Sequence, residues 1–104
     1  MTPGETKYAR ALVRACLGRG CVISVWEGGD WAIKRSANVD AVMKALASTD
    51  MDVLVVRQAN GHRLGSFTLI YGNNDDELIA DCSATAFCDS VWEELEPLRR
   101  RLEK

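Results

Sequence analysis

Four cysteines and a single histidine are the residues from which metal or nucleophilic chemistry would most readily be built in this 104-residue chain. The cysteines fall as Cys16-x4-Cys21 and Cys82-x5-Cys88. Neither pair has the tight Cys-x2-Cys knuckle that pre-positions two thiolates on zinc. Buried thiols, behaving as small hydrophobes, are the reading this spacing favours. His62 directly follows Asn60-Gly61, a turn signal, and a turn tip is usually wet and mobile. A general base needs a positioned partner, so His62 reads as a surface residue and serine chemistry lacks its usual base. Asp75, Asp76, Glu77 and Asp81 could together hold a hard cation such as magnesium. They lack the glycine and terminal glutamate offsets of a calcium loop, and a solvated turn explains them. Gly28-Gly29 and Gly18-x-Gly20 lack the Gly-x4-Gly-Lys-Ser/Thr frame of a phosphate loop. No residue is therefore assigned as catalytic, cofactor-binding or metal-ligating, and no cofactor is expected.

Tryptophans and cations remain. Trp26, Trp31 and Trp92 would ordinarily be core residues, because tryptophan is usually largely buried. A tryptophan pair within one short hairpin is also the type of residue that anchors protein interfaces. Lys34 and Arg35 lie beside that pair in sequence. Arg99-Arg100-Arg101, with Lys104, suit the C-terminal end of a helix dipole and also offer a nucleic-acid contact. Net charge of −2 and a pI near 5.3 argue against a generic polyanion binder, for which excess Lys and Arg are expected. The candidate interaction residues are Trp26, Trp31, Lys34 and Arg35.

The elements that must carry these residues follow from periodicity. Residues 3 to 18 predict a helix, with Pro3 in its first turn and Ala9, Leu12, Val13, Cys16 and Leu17 on one apolar stripe. Residues 21 to 35 predict a hairpin, with Glu27-Gly-Gly-Asp30 as its turn. That hairpin sets Trp26 opposite Trp31, with Ser24 and Ile33 on their face and Cys21, Ile23 and Val25 on the other. Ser36 or Asn38 caps a second helix carrying Val39, Val42, Met43 and Leu46 and stopping near Ser48-Thr49-Asp50. The stretch from Met51 to Cys82 is a three-stranded meander. Asn60-Gly61 suits a tight I′ turn with positive φ at both central residues, and Gly72 to Asp76 makes a longer turn. In the middle strand Gly65, Phe67, Leu69 and Tyr71 share one face, and Leu64, Ser66, Thr68 and Ile70 share the other. Ser83 or Thr85 caps a third helix with Phe87, Cys88, Val91, Trp92 and Leu95 on its stripe. Pro97 should break that helix near Glu96, leaving residues 97 to 103 as a kinked or separate last turn.

The order α-β-β-α-β-β-β-α implies an α+β fold, with a five-stranded, mainly antiparallel sheet and helices packed on one face. Length and a 47% hydrophobic composition suit one domain, residues 1 to 104, that folds without metal or disulfide. The N-terminus has no apolar core of the kind a secretory signal needs, and nothing approaches the ~18 apolar residues of a spanning helix. A cytoplasmic protein with free cysteines is the expectation.

Ser24-Val-Trp-Glu-Gly-Gly-Asp-Trp-Ala-Ile-Lys-Arg-Ser36, Ser48-Thr-Asp50, Arg63-Leu-Gly-Ser66 and Leu69-Ile-Tyr-Gly-Asn73 together resemble a group of small phage- and prophage-associated bacterial proteins of unassigned function. The resemblance covers residues 21 to 82 and implies a stand-alone intracellular domain encoded by a mobile element. It carries no active-site residues. The expected function is a non-enzymatic protein-interaction module that binds a host or phage protein, with edge strands that could pair or form a homodimer. A membrane or small-molecule partner is not expected. The second reading is nucleic-acid binding through Lys34, Arg35 and the Arg99–Arg101 end, and the third a metal-dependent enzyme on the acidic quartet.

Overall fold

The computed structural model describes residues 1–103. Helix α1 spans Pro3–Leu17 and begins at a capping box. The Thr2 hydroxyl accepts from the Glu5 N–H at 3.0 Å, and Glu5 Oε1 accepts from the Thr2 N–H at 2.9 Å, so two orphan donors of the first turn are satisfied reciprocally. The other Glu5 oxygen accepts from the Gly72 N–H at 2.9 Å, which ties the helix start to a distant turn and explains how a carboxylate tolerates near-complete burial. Tyr8, Ala9, Leu12, Val13 and Cys16 are fully buried along one stripe. Each such aliphatic side chain contributes about 1.5–3 kcal/mol relative to exposure.

Strands β1 (Cys21–Trp26) and β2 (Trp31–Ser36) form the hairpin. Helix α2 (Val39–Lys44) follows, capped by the Asn38 side chain on the Ala41 N–H at 2.9 Å. Strands β3 (Met51–Gln58) and β4 (Arg63–Ile70), a short 3-10 turn at Asp75–Glu77, and β5 (Ile79–Cys82) complete the meander. Helices α3 (Ala86–Glu94) and α4 (Glu96–Leu102) close the chain. Thr85 caps α3, and Pro97 occupies the first turn of α4, where its missing N–H costs nothing. The break falls at Leu95, beside the expected Glu96.

The sheet order is β2-β1-β3-β4-β5 and every pairing is antiparallel. Val25, Leu54, Phe67 and Cys82 lie side by side in register, as do Ile23, Val56 and Gly65. These rows face the helices and, with the stripe of α1, build the core. Gly65 is fixed by this packing, because a Cβ there would collide with Cys88 Sγ and crowd Thr85 Oγ1.

Four local expectations are corrected. Ile33 does not share the tryptophan face. A register shift between Val25 and Trp26 pairs Ile33 with Val25, and the extra residue turns Ile33 toward the core. Helix α2 stops at Lys44, short of Ser48, because Asp52 Oδ2 accepts from the Ala47 N–H at 2.8 Å and Ala47 takes a positive φ of 62°. The Asn60-Gly61 turn is not type I′. Gly61 has φ +94° and Asn60 does not share it; the Gly61 N–H bonds to the Gln58 carbonyl at 2.9 Å, a longer hairpin with a left-handed glycine. The register shift that follows between Val56 and Arg57 goes with the fourth correction, since Leu64 packs against the core cluster rather than lying wholly with Ser66, Thr68 and Ile70.

The cysteines are free, and Cys16, Cys21 and Cys88 are buried. Burial, with a smaller push from Cys21, raises the Cys16 thiol from 9.0 to about 12. An unfolded chain loses that proton near pH 9 while the folded chain keeps it, so folding stability falls as pH rises from 9 toward 12. Each pKa unit corresponds to about 1.4 kcal/mol. Urea titrations at stepped pH should show this slope, and Cys16→Ala should reduce it at a lower overall stability, leaving what the raised Cys21, Cys82 and Tyr8 groups contribute.

Candidate functional site

Among the described residues, the sheet has one face under the helices and one face without a covering element. In an antiparallel sheet the solvated face normally alternates to polar residues. Here it does so only in part. Strand register sets Trp26, Val53, Thr68 and Asp81 side by side, then Ser24, Val55 and Ser66, with Met51 opposite Ile70. Val55 is only 6% exposed yet lies outside the core cluster, so its neighbours on the uncovered face screen it. Met51 is 40% exposed. Trp26, Met51, Val53, Val55 and Ile70 thus stand on this face among polar residues, and apolar side chains gathered on an uncovered face mark an interaction site or an aggregation hazard.

Trp26 and Trp31 stand at the β2 side of this face with ring centroids 5.1 Å apart and planes at 71°. Edge-to-face packing of this sort contributes about 0.5–1.5 kcal/mol beyond area burial. Both rings are half-buried, and neither belongs to the core cluster.

Strand β2 carries a second irregularity. Ile23 pairs with Ser36 and Val25 with Ile33, so β2 spends one more residue than β1 between those pairs. The extra residue is accommodated by Arg35, which has φ +47°. A left-handed arginine is strained, and such strain persists only where surroundings impose it. Here the Arg35 N–H is held by the Ser24 hydroxyl at 2.9 Å. The bulge turns the Arg35 guanidinium back across β1 to the far hairpin, where a Cβ at Gly61 would lie 3.5 Å from Nη1. Ser24, Trp31, Lys34, Arg35 and Arg57 then line a shallow cleft of about 220 Å³. Arg63 pairs opposite Arg57 across β3 and β4. Among the described residues the ion pairs are Arg10–Asp40, Arg19–Glu94 and Arg100–Glu96, so none of these four cations has a carboxylate partner.

The four residues expected to interact, Trp26, Trp31, Lys34 and Arg35, are thus brought together. Arg57 was not anticipated. Its sequence signal is its place two residues beyond Val55 on the same strand face, which becomes informative only once β3 is known to lie beside β1. The C-terminal arginines are elsewhere. Helix α4 packs with the 3-10 turn, α1 and α3, whereas β2 is the edge strand beside α2. Arg99 stacks 3.6 Å from the Trp92 ring centroid and donates to the Trp92 carbonyl at 2.9 Å and the Tyr8 hydroxyl at 3.3 Å. Arg100 pairs with Glu96, and Lys104 lies outside the described residues. Lys34 and Arg35 therefore do not form one surface with Arg99 to Arg101.

Most of the remaining candidates have structural partners. Asp75 accepts from the Thr2 hydroxyl at 2.6 Å and Glu77 from the Asn74 side chain at 2.6 Å. Among the described residues no group of three or more His, Cys, Asp or Glu is placed to hold a metal ion. His62 is exposed, with its N–H on Asn60 Oδ1 at 2.9 Å. Among the described residues, no helix is long and apolar enough to cross a membrane. Comparison of the chain with protein-family models, curated proteins and solved structures returns no match.

Proposed function

We propose that this protein is a small non-enzymatic interaction module that binds a partner protein on the uncovered face of its sheet. The observation that carries the reading is the departure of that face from polar alternation: Trp26, Trp31, Met51, Val53, Val55 and Ile70 stand where solvated residues are expected. Tryptophan and arginine dominate binding energy in protein interfaces, and both are gathered at the β2 side of the face. Pairing through the β2 edge is disfavoured as the mode of contact, because bulges and the Lys34-Arg35 charges blunt that edge. The partner lies flat on the sheet instead. Residues 21 to 82 resemble small phage- and prophage-associated proteins, which fits an accessory role in the bacterial cytoplasm, directed at a host or phage protein. Titrating candidate partners against a Trp26→Ala/Trp31→Ala double variant tests the proposal; unchanged affinity would remove the face from consideration.

A further inference from the structure

We infer that the cleft between Ser24, Trp31, Lys34, Arg35 and Arg57 is the charge-selective part of that face, and that it takes the carboxylates of an acidic segment on the partner protein. The inference rests on the reading of the uncovered face as a protein-binding surface and names the chemistry of what it binds.

Four features converge on this cleft. First, its three cations come from two strands that are not hydrogen-bonded neighbours, β2 and β3, with β1 between them. Such convergence is achieved only through the β2 bulge, at the cost of a left-handed Arg35. A bulge that re-aims a side chain is a recurrent device beside binding sites. Second, none of the three forms an ion pair among the described residues, although the chain carries more acidic than basic residues. Third, the floor is a hydroxyl, that of Ser24, which is 3% exposed. It accepts from the Arg35 N–H, which leaves its own proton available to an anion above it. Fourth, one wall is the Trp31 ring, which offers an apolar surface to the methylenes of a Glu or Asp side chain.

A nucleic acid would place its phosphates along a cationic track and needs several such contacts. The cations here gather at one end of the face, and the surface continues as Trp26, Val53, Val55, Thr68, Met51 and Ile70, with the carboxylate of Asp81 beyond. An apolar centre with a charged margin is the anatomy of a protein interface. The occupant is therefore a peptide segment that follows its carboxylates with apolar residues. A planar guanidinium receives a carboxylate on two parallel N–H groups, so Arg35 and Arg57 supply geometry and Lys34 supplies charge.

The test uses N-acetyl hexaglutamate amide as the probe, titrated at low salt into isotopically labelled full-length protein. Backbone amides of Ser24, Trp31, Lys34, Arg35 and Arg57, and the side-chain Nε–H of both arginines, are followed by NMR. Shifts should concentrate at these residues and weaken as salt rises. Affinity should fall about twofold to fivefold in Arg57→Gln and in Lys34→Gln, the loss expected when one solvent-accessible cation of three is removed. Lys34 is exposed on an edge strand, so Lys34→Gln keeps the test independent of folding. Shifts that are absent, or spread over other surfaces, would overturn the inference. So would equal shifts with inorganic phosphate at matched charge, which would mean an unselective anion site. Tighter binding of a thymidine oligonucleotide at the same residues would replace the acidic peptide by single-stranded nucleic acid. If a partner's affinity survives Lys34→Gln/Arg57→Gln but is lost in Trp26→Ala/Trp31→Ala, the cleft inference fails while the interaction reading stands.

Discussion

Replacing Asp52 by alanine should lower the melting temperature by roughly 10–20 °C, the largest effect of any single change considered. Asp52 is fully buried beneath the helices. Its Oδ2 accepts from the Tyr71 hydroxyl at 2.6 Å and from the Ala47 N–H at 2.8 Å. Hydrogen bonds to a charged group contribute about 1.5–3 kcal/mol each, and their loss strands the buried donors. Among the described residues Oδ1 has no partner, so the carboxylate also carries a desolvation cost that alanine relieves, and the net loss should be about 3 kcal/mol rather than the full sum. Asparagine separates the two effects. Its carbonyl oxygen can accept from both donors while an amide replaces the orphaned oxygen, so Asp52→Asn should cost much less than Asp52→Ala. Tyr71→Phe removes one bond and should cost about 1–2 kcal/mol. Burial, reinforced by the Asp52 carboxylate, also pushes the Tyr71 phenol well above its usual range. Thermal melts of the three variants at neutral pH provide the check; equal losses for alanine and asparagine would contradict this description of the network.

The second large effect concerns binding rather than folding. Trp26→Ala/Trp31→Ala should reduce partner affinity a hundredfold or more, since a buried tryptophan anchor is worth about 2 kcal/mol or above. The melting temperature should move less than in Asp52→Ala. Both rings lie outside the core cluster, and their mutual contact contributes only about 0.5–1.5 kcal/mol beyond area burial. A core pair would behave in the opposite way, with unfolding masking any change in affinity. Isothermal titration beside a thermal melt on the same sample distinguishes the two. A large loss of stability with intact binding would return the tryptophans to an ordinary structural role.

Much of the fold was legible because local signals agreed with one another. Pro3 and Pro97 mark a helix start and the α3–α4 break, Ser36 or Asn38 and Ser83 or Thr85 bracket two further starts, and the alternation along β4 separates its two faces without saying which is the core. What escaped depended on non-local contacts. The end of α2 is set by Asp52, several residues downstream, whose side chain captures the Ala47 N–H. The orientation of Ile33 is reversed by one extra residue between Trp31 and Ile33, and the second bulge of β2 leaves no compositional mark because its left-handed residue is Arg35 rather than glycine. The capping box at Thr2 and Glu5 stands in the sequence as a Thr-x-x-Glu pattern, a local signal for the start of α1.

The site was half legible. Trp26 and Trp31 could be paired from the length of their turn, and Lys34 and Arg35 are their sequence neighbours. Arg57 could not be added, because its approach depends on β3 inserting beside β1 so that β1 and β4 flank it. The C-terminal arginines looked equally promising in sequence, but Arg99 is consumed by Trp92 and Tyr8.

Site-specific photocrosslinking most directly tests whether the uncovered face is the binding surface. A photoreactive phenylalanine derivative is placed at Val53 or Thr68 on that face and, in parallel, at Lys7 or Arg14 on the outer side of α1, and each protein is irradiated in cells of its native source. A discrete partner adduct from Val53 and Thr68 alone, lost when Trp26→Ala/Trp31→Ala is added, is the expected result. An adduct formed only from Lys7 or Arg14, or one from the sheet that is indifferent to both tryptophans, would contradict it.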